Sequence, residues 1–497
     1  MPILKKVSLG LLVAALALAL GCASPDATRL RYDSEKLFHQ AEKLVTDAQI
    51  KQQVKDDKAT REIRDAFGKA LSSAYQALEQ VDKTRDSVEY LQLSQIALRS
   101  ASRLSQFFYA LRHFDTCSVI LNQLLTKLQL PSLETAVTWV NLAQSLQASG
   151  KWDSSIAVYG KAVTLVNPPI DTRGEIITPV FGIPSQIYQI YKRIGDSVNA
   201  RQQYAEAVAY YERFARQRSG TKLGTGAWTM LGILYGEENR WTDAVYAYEQ
   251  LKDDKGTADW RAATRIGDIY AMHLDQLDRA AQIYDETMAG LTGDDTLARP
   301  QFIFKKALVY VELKHYDKAR SLLSDLNQNY RGFYLSNPAP QFVKAQSFER
   351  EGNWVRAESE YRFLIDNYPA SDQAMSTYLH VGEEMAKQGR ANEAEKWMGK
   401  ADEFFSSVAS RASGSEVEAL AMTYRAELLR RNANWEGAAA MLLKVFDKFP
   451  NETIGHNAMI TASQIYKEKL GDPAKSDSLI QSLRQSMTAP LDGLSTK

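Results

Sequence analysis

Small and large apolar residues alternate along this chain with a period longer than a helix and shorter than a domain. Ala207, Ala244, Ala280, Ala319, Ala357, Ala394 and Ala438 follow one another at spacings of 37, 36, 39, 38, 37 and 44 residues. Four residues after them stand Tyr211, Tyr248, Tyr284, Leu323, Tyr361, Met398 and Leu442, and twelve or thirteen residues before them stand Gly195, Gly232, Gly267, Ala307, Ala345, Gly382 and Ala426. Polar, turn-forming stretches such as Glu238-Asn239-Arg240 and Gln388-Gly389-Arg390 separate the two halves of each unit. Apolar residues at helical spacing on either side of a short turn, repeated at a fixed period, predict stacked helix hairpins.

The chemistry of the repeated positions supports that reading. A glycine or alanine on one helix and an alanine on the other let two antiparallel helices approach closely, and the large residue one turn away fills the groove beside the contact. A single hairpin cannot bury its apolar face alone, so each needs a neighbour. Weaker copies extend the series: Trp139, Leu142, Ala143 and Leu146 with Ser155, Tyr159 and Ala162, and before them Ser105 and Phe108 with Cys117, Leu121 and Leu124. Cys117 thereby falls on a packing position. Two polar helices at 35–50 and 61–82 form the first hairpin, and a degraded unit around Ala462 and Ala474 closes the series.

These positions resemble the tetratricopeptide repeat. The unit with Trp228, Leu231, Gly232 and Tyr235, then Ala244 and Tyr248, follows that family's consensus closely. The repeat-defining residues are Gly232, Ala244, Gly267, Ala280, Ala319, Ala357, Gly382, Ala394 and Ala438. The resemblance implies an all-α fold, a right-handed α-solenoid of about ten hairpins. It divides the chain into an array at 35–164, a proline-rich interruption at 165–186 with Pro168, Pro169, Pro179 and Pro184, a second array at 187–485 and a tail at 486–497. Shorter breaks are expected at 290–300, 332–340 and 406–415.

The N-terminus carries a different signal. Lys5 and Lys6 precede an apolar run from Val7 to Leu20, too short for a membrane span of roughly 20 residues, followed by Gly21 and Cys22. Leu18-Ala19-Leu20-Gly21-Cys22 resembles the lipobox of bacterial lipoproteins, with Ala19 where Leu is usual. The resemblance implies a signal peptide over 1–21, diacylation of Cys22, a tether at 22–34 and attachment to a bacterial outer membrane facing the periplasm. The only other cysteine is Cys117, so an acylated Cys22 leaves no intramolecular disulfide.

Sixty basic and sixty acidic side chains cancel, which gives no electrostatic basis for nucleic-acid binding. Six scattered histidines with no helical pair, no Cys/His cluster, no phosphate-cradling glycine loop and no nucleophile elbow point to no metal, no cofactor and no catalysis. Related repeats that hold a carboxylate tail carry Asn at the ninth position of the first helix. Here that position holds Gln144, Ile233, Asp268, Leu308, Gln346, Glu383 and Glu427, so that clamp is missing. Gln144, Asp268, Gln346, Glu383 and Glu427 are the candidate partner-binding residues of a concave surface. The reading that follows is a lipid-anchored envelope scaffold for partner proteins, acting in outer-membrane or cell-wall assembly. The alternative is a lipoprotein that binds nutrients or glycans and resembles the SusD type.

Overall fold

The computed structural model describes residues 25–50, 57–251, 259–450 and 452–488. Among these the regular elements are helices, with one isolated bridge between Ile170 and Ile176, which is the all-α helical-repeat architecture expected. The described residues divide into two compact units, the first running up to residue 207 and including 487–488, the second within 208–486.

The first unit opens with α1 (Pro25–Ile50) and α2 (Asp57–Gln80). The pairs α3 (Ser87–Ala110) with α4 (Phe114–Lys127) and α5 (Ser132–Ala148) with α6 (Trp152–Leu165) follow. A short α7 (Thr178–Phe181) leads into α8 (Ile183–Ile194) and α9 (Ser197–Gln217), whose residues from Val208 on belong to the second unit.

In the second unit, α10 (Lys222–Glu237) pairs with α11 (Trp241–Glu249), and α12 (Trp260–Met272) with α13 (Leu277–Gly290). After a 3-10 turn at Gly293–Ala298 come α14 (Arg299–Glu312), α15 (Tyr316–Asn329) and the short α16 (Arg331–Ser336). The remaining pairs are α17 (Ala339–Arg350) with α18 (Trp354–Asn367) and α19 (Asp372–Lys387) with α20 (Ala391–Arg411). Then come α21 (Glu416–Arg431) with α22 (Trp435–Lys448) and α23 (Thr453–Glu468) with α24 (Pro473–Thr488).

The small and large positions meet as the repeat requires. A Cβ placed on Gly232 would lie 2.5 Å from the ring of Tyr248, one on Gly267 2.3 Å from Tyr284, and one on Gly382 2.7 Å from the sulfur of Met398. The first helix therefore presents bare backbone where the second presents its largest side chain. Ala244, Ala280, Ala319, Ala357 and Ala438 are fully buried, and Ala394 nearly so. At the corresponding position of earlier hairpins, Cys117 donates from Sγ to the Ser105 carbonyl at 3.1 Å and Ser155 from Oγ to the Ala143 carbonyl at 2.7 Å. A small polar side chain is tolerated there because the close approach gives it a backbone acceptor. Burial pushes the Cys117 thiol up to about 12, which keeps it protonated at its packing position.

The turns inside the hairpins share a backbone signature. Arg112, Asn239, Lys314 and Ala433 all have positive φ, as does Gly352. Each stands two residues before a second helix, those beginning at Phe114, Trp241, Tyr316, Trp435 and Trp354. The next amide donates back into the first helix, as Arg240 does to the Tyr235 carbonyl, His315 to Tyr310 and Asn434 to Leu429. This is a Schellman-type ending that satisfies carbonyls left open at the helix terminus.

Four expectations differ from the structure. Residues 25–34, expected as tether, are helical, because Ala27 packs with Ala77, Val81 and Leu93, and the Ser34 hydroxyl lies 2.9 Å from that of Ser73. The proline-rich interruption lies within the first unit and does not mark the division. Ile177, Val180, Ile183 and Ile187 share a core with Ala136, Val140, Tyr159 and Ala162. Residues 406–411 continue α20, since Phe405, Val408 and Ala409 are buried against Ala421 and Leu428, and the chain turns only at 412–415. Gly195 is a left-handed cap ending α8, with nothing within 4 Å of its Cβ position, and makes no small-to-large contact.

Candidate binding groove

The five residues expected to face a partner all lie on first helices of hairpins: Gln144 on α5, Asp268 on α12, Gln346 on α17, Glu383 on α19 and Glu427 on α21. Their surroundings differ. Asp268 accepts from the Tyr284 hydroxyl at 2.7 Å and from the Lys305 ammonium at 2.7 and 2.8 Å. Arg431 pairs with both Glu383 and Glu427, and Arg430 also holds Glu427. Asp268 and Glu383 are thus tied to a neighbouring helix and Glu427 to the arginines of its own, so their charge is spent within the fold. Gln346 is half-buried on α17.

Gln144 is in a different position. It lines a cavity of about 590 Å³ in the first unit with Gln106 and Tyr109 of α3, Asn141 and Gln147 of α5, and Gln186 and Arg193 of α8. Three successive first helices thus contribute carboxamides to one concave surface. Asn141, Gln144 and Gln147 repeat at every third residue, which places them on one helix face. The Tyr159 hydroxyl donates to Gln147 Oε1 at 3.3 Å, and the Arg193 guanidinium lies 5.6 Å from the Trp152 ring centroid. A second cavity of about 780 Å³ shares Gln106 and Asn141 with the first and continues to Phe38, His39 and Glu42 of α1. Together they make one groove across α1, α3, α5 and α8. Its polar lining between Gln106 and Gln186 consists of five carboxamides beside Ser105, Tyr109 and Ser145, with Arg193 as the cation.

The sequence reading reached Gln144 and missed its neighbours. The triplet Asn141, Gln144, Gln147 was visible as a polar stripe on α5. Gln106 and Gln186 join it only through the stacking of hairpins, which the repeat period alone does not place to the residue.

The proline-rich stretch ends as an ordered turn. Asp171 accepts from the backbone amides of Arg173 and Glu175 at 2.8 and 2.9 Å, and from the Arg173 guanidinium. The Glu175 and Arg173 amides and the Arg173 guanidinium hold its carboxyl below the usual range. Ile170 and Ile176 pair across the turn.

The sequence reading looked for histidine pairs and Cys/His clusters; the structure gathers a mixed set, Glu349 of α17 with His380 and Glu384 of α19, one ligand atom from each lying within 4.8 Å of the others. The readable signal was a histidine and a glutamate four residues apart on one helix. Cys22 and the signal segment lie outside the described residues, as does most of the tail at 486–497. Among the described residues, no helix is long and apolar enough to cross a membrane.

Comparison with known proteins gives one family match and a set of structural likenesses. No curated protein matches the chain. A tetratricopeptide repeat protein from Parabacteroides merdae is 15% identical, with 62% of this chain and 98% of that one covered and a TM-score of 0.33. The apo form of the quorum sensor NprR from B. thuringiensis is 14% identical over 67% of this chain and 97% of its own, with a TM-score of 0.36. PilF of Pseudomonas aeruginosa is 13% identical over 49% and 97%, with a TM-score of 0.31. Residues 192–259 match the tetratricopeptide repeat family; helix hairpins extend to either side of that segment, and the small-to-large contact recurs on its C-terminal side at Gly267 and Gly382.

Proposed function

We propose that this chain is a lipid-anchored scaffold of a bacterial envelope that holds an extended segment of a partner protein in the groove of its first unit. The observation that carries the reading is the amide lining of that groove. Each Asn or Gln offers a donor and an acceptor side by side, the same pair that a peptide backbone presents at every residue. Between Gln106 and Gln186 these neutral amides select backbone over side-chain charge, which suits a polypeptide whose sequence varies along its length, while Glu42, Arg99, Arg103 and Glu134 add charge at the α1 end. Phe38 and Leu98 at one end of the groove give apolar contact for side chains. Helical repeats supply such a surface preformed, so little ordering cost falls on the scaffold.

The envelope location rests on the lipobox-like segment ending in Cys22. Acyl chains there contribute about 0.8 kcal/mol per buried CH₂, enough in pairs for stable anchoring. The glycan-binding alternative calls for long irregular segments. Among the described residues the longest non-helical stretch is 166–177, a short ordered turn.

The test is photocrosslinking in intact cells from a reactive residue placed at Gln144, with Gln346 as a second site, beside metabolic labelling with a fatty acid. The reading expects protein adducts from position 144 that are lost when Asn141 and Gln186 are both changed to Leu, and fatty-acid label that is lost in Cys22→Ser. Adducts insensitive to the leucine changes, or an unlabelled Cys22, overturn the groove and the anchor respectively.

A further inference from the structure

We propose that Glu349, His380 and Glu384 form a binding site for a divalent transition-metal ion, zinc being the best fit, which ties one hairpin of the second unit to the next. His380 and Glu384 stand one turn apart on α19, so both reach the same side of that helix. Glu349 reaches them from α17 of the preceding hairpin. His380 Nε2 lies 3.0 and 3.1 Å from the two carboxylate oxygens of Glu349. In a tetrahedral zinc site with bonds of about 2.0–2.1 Å, neighbouring ligand atoms stand roughly 3.3 Å apart. The His380–Glu349 pair therefore already stands close to one edge of such a tetrahedron, and the Glu384 oxygen, within 4.8 Å of both, closes on the ion by a side-chain adjustment.

The surroundings separate this trio from an ordinary surface cluster. One carboxylate oxygen of Glu349 already accepts from the hydroxyl of the fully buried Tyr361 at 2.5 Å. That bond fixes the carboxylate's orientation, as outer-shell partners of metal ligands do. Tyr361 also sets its ring edge-on to His380, with centroids 5.7 Å apart. Two carboxylates and one imidazole supply two negative charges for a divalent cation, and the imidazole favours zinc, copper or nickel over magnesium or calcium. The charged groups facing the trio do not close it. Lys387 holds Glu384 at 2.5 Å from a largely exposed side chain that can swing away, and Arg350 is paired with Glu312. Three protein ligands leave a fourth position for water or for a side chain of a partner. This site does not depend on the groove of the first unit.

The experiment is titration of the full chain with cobalt(II), read by visible absorption, and with zinc chloride, read by calorimetry and by the unfolding midpoint, with magnesium chloride as the comparison ion. The expected result is one saturable site, a cobalt spectrum of low coordination number and a midpoint raised by zinc and not by magnesium. His380→Gln and Glu384→Gln each weaken binding by roughly tenfold or more, and Tyr361→Phe by about tenfold. Glu384→Gln leaves the Glu349–His380 bond in place and serves if His380→Gln fails to fold. Absence of saturable binding, or unchanged affinity in a folded Glu384→Gln protein, overturns the proposal.

Discussion

The ring of Tyr284 occupies the space that a Cβ on Gly267 would need, with its Cε1 only 2.3 Å from that position. Tyr284 is almost completely buried, so its ring has nowhere to retreat. Gly267→Ala gains about 1 kcal/mol of helix propensity but forces an overpacked contact that costs about 1–3 kcal/mol. The net expectation is a lower urea midpoint for the second unit. Gly160→Ala, in the middle of α6 with nothing within 4 Å of the new methyl, has only the propensity term and raises the midpoint of the first unit. Equal effects at the two sites would refute the packing account.

Much of this architecture was readable because the small-to-large contact is nearly one-dimensional. Gly232 and Tyr248 sit at a fixed offset within one hairpin, and repetition exposes the offset. The hairpin turns were less legible. Arg112, Lys314 and Ala433 adopt a left-handed backbone without the residue types that announce it, and the geometry is imposed by the packing of the helices on either side. Of the groove only the α5 stripe of Asn141, Gln144 and Gln147 is legible, and of the metal-ligand trio only the α19 pair His380 and Glu384, because the remaining members come from different hairpins. The expected partner residues Asp268, Glu383 and Glu427 lie on first helices, yet Asp268 and Glu383 are held by Lys305 and Arg431 of neighbouring helices and Glu427 by Arg430 and Arg431 of its own, which a position rule cannot foresee.

Ala433 offers a direct measure of strain in those turns. At φ 55° its methyl crowds the following carbonyl, at a cost of about 1–2 kcal/mol for a non-glycine residue. Glycine removes that cost but is freer when unfolded, by about 0.5–1 kcal/mol. Ala433→Gly is expected to stabilise the second unit by up to about 1 kcal/mol. Gly352→Ala, at φ 86°, is expected to destabilise it by a similar amount. Both are read as shifts of the urea midpoint at constant slope.

Asp268 is expected to matter for stability ahead of binding. Removing its carboxylate leaves the buried hydroxyl of Tyr284 and the half-buried ammonium of Lys305 without this acceptor, and Asp268→Ala should cost about 1–3 kcal/mol. Tyr284→Phe removes one donor and should cost about 0.5–1.5 kcal/mol. Because the two share a bond, the double variant is expected to lose less than the sum. Strict additivity in a double-mutant cycle would show that the bond is not formed in solution.

Glu418 gives the chain an acid sensitivity at a defined place. It occupies the first turn of α21, in the sequence Ser415-Glu416-Val417-Glu418, and accepts from the Gly414 amide at 2.6 Å and from the Lys448 ammonium of α22. Burial by itself raises its pKa, but the Lys448 ammonium and the Gly414 amide outweigh that and hold it below the ordinary value of 4.5. A carboxyl with a depressed folded-state pKa contributes stability that is complete above its unfolded value and is lost as pH falls through the depressed one. Glu418→Gln keeps an acceptor for Gly414 but removes the charge that pairs with Lys448. The difference in unfolding midpoint between the two proteins is therefore expected to be constant from about pH 7 to about pH 5 and to shrink steadily below that. A difference that persists unchanged into acid would mean that shape, not charge, is what Glu418 contributes to the junction of α21 and α22.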